Sequence, residues 1–514
     1  MKSSTSRHVA GLAGLAALCA VAVGRGETPV HVSVDWSNVV ATSRASVTLE
    51  VCLEPPLRRG YPLHDKLFAA LRDVGANYAH FQPWNVFPAL GIAELEPPSN
   101  GKTHWNLKLL DEAAQDFMTA AAGRPVIFNV GALPAWMFKT KKPVSGPKDP
   151  DAADWSYAEF NDRTVTDESV RLAADYQARL ASWFINGEFV DEAGVRHVSG
   201  HHYDIAYWEV LNEPDFEGSL GPADYTKLYD AIVQAIRKVA PKLKFMGPAV
   251  GDATRADYFT YFLDGHNHAP GIPIDMVSYH LFAIPDPDEP PDVQANSFFR
   301  QADTFVAIAN YIESLKGRFQ PDAKTDADNV ATMLPDPLAP TLTRPIPHDY
   351  WNLSGATFAY LYGQLALLGL DAVGISELID FPGMAAASTL VDWDTGIPTA
   401  RYWVLRLLKD NFGPGDGLIG PPAYTVLYPN PAPNLYSQGF ISAKGLRKIL
   451  LVNKRGTSVR VVADGARGGT LQVVDQTTVG LAGQRPMASD SIDLGGYAVA
   501  VVTLPESPQQ GPAE

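Results

Sequence analysis

The sequence predicts a (β/α)8 barrel followed by a smaller antiparallel β-sandwich. Three observations predict it. From about residue 45, short apolar runs alternate with longer stretches of helical periodicity, eight times over. The first strand–helix turn lacks the glycine-rich loop that opens a doubly wound nucleotide-binding sheet. After Gly413 the pattern changes to two-residue alternation broken by turn residues. A chain of 514 residues also exceeds one ordinary domain, which fits a large unit and a small one.

The elements follow in order. "ASVTLEVCL" reads as the first strand, and "HDKLFAALRDVG" as its helix, closed by Gly75. "NYAHFQPW" and "PVIFNVGALPAWMF" hold strands two and three, followed by the helices "LKLLDEAAQDFMTAAAG" and "DESVRLAADYQARLASWFI". Strand four is "DIAYWEVLNEPD", with the helix "ADYTKLYDAIVQAIRKVAP". Strands five and six are "LKFMGPAV" and "PIDMVSYHLF", followed by "DYFTYFLDG" and "FRQADTFVAIANYIESLKG". Strand seven is the weakest and falls near "AKTDADNVA", ahead of the helix "YWNLSGATFAYLYGQLALLG". "LDAVGISELID" is strand eight and "ARYWVLRLLKDNFG" its helix. The barrel so read spans 45–413 and the sandwich 414–505, with "VHVSVDW" near the N-terminus offering it a further strand over 30–36. Residues 506–514 read as a disordered tail. The Pro-rich stretches "IPDPDEPPD" and "LPDPLAPTLTRPIPHD" follow strands six and seven, and so belong to the face where barrel active sites are built.

Lys2 and Arg7 precede an apolar run, Val9–Val23, that ends in small residues, which reads as an export signal over 1–24. The expected location is therefore outside the cytoplasm, with no membrane attachment after cleavage. The run is short for a membrane span, and Leu18 is bulky where a lipoprotein signal before Cys19 needs a small residue. Cleavage leaves Cys52 alone, so no internal disulfide is expected and Cys52 reads as a core residue. A net charge of −16 argues against nucleic acid and anionic membrane surfaces as partners, and is compatible with a neutral sugar. No Cys/His spacing suggests a metal and no loop suggests a nucleotide, so no cofactor is expected.

On a barrel the informative groups are polar residues at the C-terminal ends of strands. Glu213 ends strand four between Asn212 and Pro214. The proline stops ladder pairing and stiffens the exit, which fixes where the carboxylate points. An apolar surround raises a carboxyl pKa, as a general acid at neutral pH requires. Asn212 offers a donor and an acceptor to a hydroxyl.

These motifs resemble those of clan A glycoside hydrolases, and family 39 in particular, which includes β-xylosidases and α-iduronidases. "YWEVLNEPD" resembles the family's strand-four motif, "ALPAWMF" its strand-three loop and "VSYHLF" its strand-six segment. The resemblance implies a carbohydrate substrate and retaining hydrolysis by two carboxyl groups about 5–5.5 Å apart. It implies Glu213 as acid/base, Asn212 on the sugar 2-hydroxyl, and His280 against the sugar or the nucleophile. Trp84, Gln82 and Trp136, at the tops of strands two and three, are expected to line the sugar site, the tryptophans as apolar walls.

The resemblance also implies a strand-seven Glu as nucleophile, and there the pattern breaks. "TDADNVA" offers Asp326, Asp328 and Asn329. The obvious carboxylate in the C-terminal half, Glu377, follows strand eight by the count above. Three readings stay open: the count is off by one and Glu377 is the nucleophile; Asp328 replaces the usual Glu; or the slot holds Asn329, with Glu377 compensating or no hydrolysis at all. Strand two also departs, carrying His80 and Gln82 where the family has Arg and His. The expected function is a secreted O-glycosyl hydrolase. The alternative is a carbohydrate-binding protein on a hydrolase scaffold.

Overall fold

A computed structural model describes residues 28–141, 144–158, 163–217, 219–342, 344–420, 423–424, 434–480 and 483–506. The export signal, most of the strand expected at "YTVLYPN", and the tail beyond residue 506 lie outside the described residues.

Eight parallel strands close a barrel in chain order. They are β1 Ser46–Cys52, β2 Tyr78–Gln82, β3 Val126–Val130, β4 Tyr207–Val210, β5 Lys244–Val250, β6 Met276–Ala283, β7 Lys324–Thr332 and β8 Ala372–Ile375. β8 pairs with β1 and shuts the ring. Each strand has a helix outside it: α1 His64–Val74, α2 Lys108–Ala120, α3 Asp167–Ile185, α4 Pro222–Val239, α5 Ala256–Leu263, α6 Pro291–Phe319, α7 Tyr350–Leu368 and α8 Ala400–Asn411. Local chemistry sets their ends. Gly75 takes a left-handed φ of 59° and stops α1, and the Thr166 side chain caps α3 by accepting the Ser169 N–H. α6 begins inside the first Pro-rich stretch, because Pro291 lacks an N–H that a first-turn residue does not need.

The strand interiors are layered. Ile127, Tyr207, Met246 and Met276, with Tyr78 against them, form an apolar plug. Two residues further along the same strands stand His80, Asn129, Glu209 and Ser278, all fully buried. Glu50 on β1 and Asp326 and Asp328 on β7 are buried with them. This explains why strand seven was the weakest in the sequence. Its acidic residues hide its apolar signal, yet they are buried.

The second unit is built of two sheets, ordered mainly from antiparallel strands in the C-terminal segment. Leu435–Ile441, Arg447–Asn453 and Val499–Thr503 form the centre of one. The expected N-terminal strand is there as Val30–Ser33, paired in parallel with Val459–Ala463. A second one, Val39–Thr42, pairs with Gly417–Ile419 and was not foreseen, because its residues are largely exposed and carry no alternation.

α7 is buried on nearly every side because it lies between barrel and sandwich. Gly363 on α7 faces Tyr436 so closely that a Cβ there would come within 2.4 Å of the Tyr436 hydroxyl and 2.8 Å of its ring. Tyr360 packs edge-on against the same ring at 5.0 Å. Gly363→Ala gains about 1 kcal/mol of helix propensity but forces a packed interface apart, at about 1–3 kcal/mol. A net loss is therefore expected, read as a lower Tm with unchanged far-UV circular dichroism. A higher Tm would mean that the interface yields freely.

Candidate active site

Strand β4 ends in a tight, unusual turn. Leu211 and Glu213 have positive φ angles of 64° and 37°, and Ala249 across on β5 has 50°. Non-glycine residues in this region cost on the order of 1 kcal/mol each and are kept where the surroundings demand them. The Glu213 N–H donates to the Ala249 carbonyl at 3.0 Å, and the Glu213 carbonyl accepts from Phe216 and Glu217. Asp215 accepts the N–H groups of Gly251 and Asp252 at 2.9 and 3.0 Å, joining this turn to the one after β5. Gly251 leaves room for the catalytic candidate, since a Cβ there would sit 3.0 Å from the Glu213 carboxyl carbon.

The Glu213 carboxyl is half-buried, and its Oε1 lies 2.7 Å from His280 Nδ1 on β6. Asn212 is buried beside it. Its amide donates to Glu217 Oε1 at 3.1 Å, and its Oδ1 accepts from Asn129 at 3.3 Å. Trp84 is half-buried and donates its indole N–H to the same Glu217 oxygen at 2.6 Å. Trp136 donates to the Glu94 carbonyl at 2.9 Å and packs partly against the core. Gln82 is buried at the end of β2.

Glu217 escaped the sequence reading, although it follows Glu213 by four residues. Burial, and then the charge of Glu213, push its carboxyl up to about 8. It is therefore neutral at pH 7 and ties Trp84, Asn212 and the acid turn together. A carboxyl raised in the folded state favours folding below its ordinary pKa, and that gain is lost as pH rises through the folded value. Between about pH 5 and 9 the wild type should lose roughly 3–5 kcal/mol through this group. Glu217→Gln removes that dependence. The Tm advantage of the wild type over the variant should shrink from about pH 5 to pH 8 and level off above it, and a constant difference would show that Glu217 does not titrate in this range.

Glu377 follows β8, as the strand count implied, and the barrel order leaves strand seven to Asp326, Asp328 and Asn329. Its Oε1 accepts the N–H of Cys52 at 2.7 Å and that of Leu378 at 3.2 Å. Burial pushes this carboxyl up to about 7, against the pull of the Cys52 and Leu378 hydrogen bonds and the charge of Arg401. Arg401 is buried and donates to the carbonyl of the neighbouring Ser376. Cys52 is free and buried, as expected of a core residue.

Asp328 is placed differently. It is fully buried on the far side of His280, with its Oδ2 3.8 Å from Nε2. Burial, then the charge of Glu209, push it well above the usual carboxylate range. Asn329 is buried in register with His280. Glu50 on β1 was also not foreseen. Burial pushes it well up, followed by the charges of Glu377, Glu209 and Glu213. Glu50 thus lies near enough to Glu377, Glu209 and Glu213 for their charges to bear on it.

The model of glycosyl hydrolases family 39 matches residues 179–316, a stretch from α3 into α6 that contains Glu209, Asn212, Glu213 and His280. The C-terminal immunoglobulin-like domain of D-apionate lactonase matches residues 438–502. No curated protein matches the chain. Among solved structures, a conserved exported protein from Bacteroides fragilis superposes with a TM-score of 0.62 at 13% identity, covering 92% of this chain and 99% of that one. An α-L-arabinofuranosidase from Thermotoga maritima gives 0.58 at 13% identity, covering 93% and 99%. A monomeric β-xylosidase from Caulobacter crescentus gives 0.55 at 14% identity, covering 92% and 99%. At such identities the likeness is one of fold. The chain thus has the barrel-and-sandwich fold of solved glycoside hydrolases and, in its fourth to sixth barrel repeats, is similar to glycosyl hydrolases family 39.

Proposed function

We propose that the protein is an exported O-glycosyl hydrolase of oligo- or polysaccharides, with Glu213 as general acid/base and Glu377 as its partner carboxylate. The observation that carries this is the half-buried Glu213 carboxyl, held by His280 at the end of β4, with Asn212 beside it. A proton donor for a departing sugar oxygen needs that placement: rigid, at the barrel mouth, and within reach of a ligand. Asp328 is set aside as nucleophile because the His280 ring stands between it and Glu213. Glu377 is the remaining candidate, and the Cys52 and Leu378 N–H groups hold one of its oxygens in place. Attack by Glu377 on the anomeric carbon, with proton delivery by Glu213, would give a glycosyl-enzyme and retention. Trp84 supplies a half-apolar wall near Asn212.

The test is a panel of aryl xylosides, arabinofuranosides and glucosides, with the first-formed anomer followed by NMR. Retention on any of them supports the pairing, and inversion would move the second carboxylate from nucleophile to base. A nucleophile must be ionised, so kcat/KM should rise with pH through about 7, roughly tenfold per unit below it. A profile flat from pH 5 to 8 would remove Glu377 from this role. One observation favours a second reading: the strand-seven slot holds Asn329, an amide. On that reading calorimetry would register oligosaccharide binding while no panel member turned over.

A further inference from the structure

The barrel interior beneath Glu213 holds a cluster of donors that hydrolysis by Glu213 and Glu377 does not use. His80 comes from β2, Glu209 from β4 and Asp328 from β7, and one ligand atom from each lies within 4.8 Å of the other two. All three side chains are fully buried. His80 Nε2 stands 3.0 Å from Glu209 Oε2, but without the alignment of a hydrogen bond. Two lone-pair atoms so placed resemble neighbours around one cation. Asp328 meets the Glu209 carboxyl within hydrogen-bonding range and takes no N–H or hydroxyl donor among the described residues.

A second observation comes from a fourth strand. His280 uses Nδ1 on Glu213, which leaves Nε2 buried and without a partner, 3.8 Å from Asp328 Oδ2. The cluster therefore offers one imidazole nitrogen and two carboxyls from three strands, with a second imidazole nitrogen facing Asp328. Asn129 donates to Glu209 Oε2 at 2.9 Å, the kind of neighbour that fixes the orientation of a ligating carboxylate. Glu50 and Asp326 are buried nearby and add to the negative potential. A shared proton would answer one oxygen of the Glu209–Asp328 pair. It would leave the remaining donors of four side chains facing one another in a medium where unpaired polar atoms are costly.

We propose that His80, Glu209 and Asp328 bind one divalent transition-metal cation such as Zn2+ or Mn2+ inside the barrel, with His280 Nε2 facing the Asp328 carboxyl. The mixed nitrogen and oxygen set suits these ions better than Ca2+ or Mg2+, which favour oxygen alone. The cation balances the buried carboxylates and ties β2, β4 and β7 together. The cluster was invisible to a search for metal motifs in the sequence, because its members are scattered over three strands.

The experiment uses the full chain and does not depend on hydrolytic activity. Elemental analysis of purified protein should find about one equivalent of a transition metal per chain. Chelation should remove it and lower Tm by several degrees, and Zn2+ or Mn2+, but not Mg2+, should restore the loss. Asp328→Asn and His80→Gln should each retain under about a tenth of the metal, whereas His266→Gln, at an exposed site, should retain all of it. Full metal content in both cluster variants overturns the proposal. So does wild-type protein that holds no metal after incubation with either ion and keeps its Tm, because the cluster then holds protons only. Should the cluster variants fail to fold, the wild-type chelation series decides alone.

Discussion

Glu213→Gln is expected to lower kcat/KM on substrates with poor leaving groups by roughly 10²–10⁴-fold, while dinitrophenyl glycosides lose far less. Gln keeps the volume of Glu and can still meet His280 Nδ1, so the fold and the turn should survive. What is lost is the proton. A sugar or alkyl alkoxide needs it to depart, whereas dinitrophenolate leaves unaided. The dependence on the leaving group is therefore the diagnostic, more than the size of the loss. Equal rates for variant and wild type across the series would falsify the assignment of Glu213 as general acid.

Glu377→Ala should be the more damaging change, at roughly 10⁴-fold or more in kcat, because no other carboxylate is proposed to replace it. The truncation also opens a space lined by the N–H groups of Cys52 and Leu378, which now hold the Glu377 oxygen. Added azide should occupy it and restore turnover, giving a glycosyl azide of inverted configuration. If azide has no effect and the residual product is released with the wild-type anomeric configuration, Glu377 is not the nucleophile. A variant as active as the wild type would return attention to the carbohydrate-binding reading.

The barrel was legible because each strand–helix pair carries its own punctuation. "HDKLFAALRDVG" shows helical spacing and a terminal glycine, and α1 is found over His64–Val74, closed by Gly75. The N-terminal strand Val30–Ser33 was legible through its alternation. Val39–Thr42 was not, since a short exposed strand has no face to alternate. Among site residues, Glu213 stood out through Pro214 and the apolar run before it. Glu217 and Glu50 did not, because a carboxylate in a helical or alternating stretch looks solvent-facing until its neighbours are known. Glu50 sits at an inward position of β1, where "VTLEVC" gives no sign of which face is inside.

By itself the sequence determined the class of fold, the order of its strands, and the position of one acid at the end of the fourth. Those are properties of local runs, set by side-chain period, caps and turns, and they need no knowledge of distant partners. Only the tertiary structure decided what surrounds that acid. It placed His280 against Glu213, put Asp328 beneath His280, and held Glu377 buried beside Cys52. It also gathered His80, Glu209 and Asp328 from three strands into one buried cluster. Closing a barrel makes neighbours of residues hundreds of positions apart, and their charges, burial and access depend on that closure.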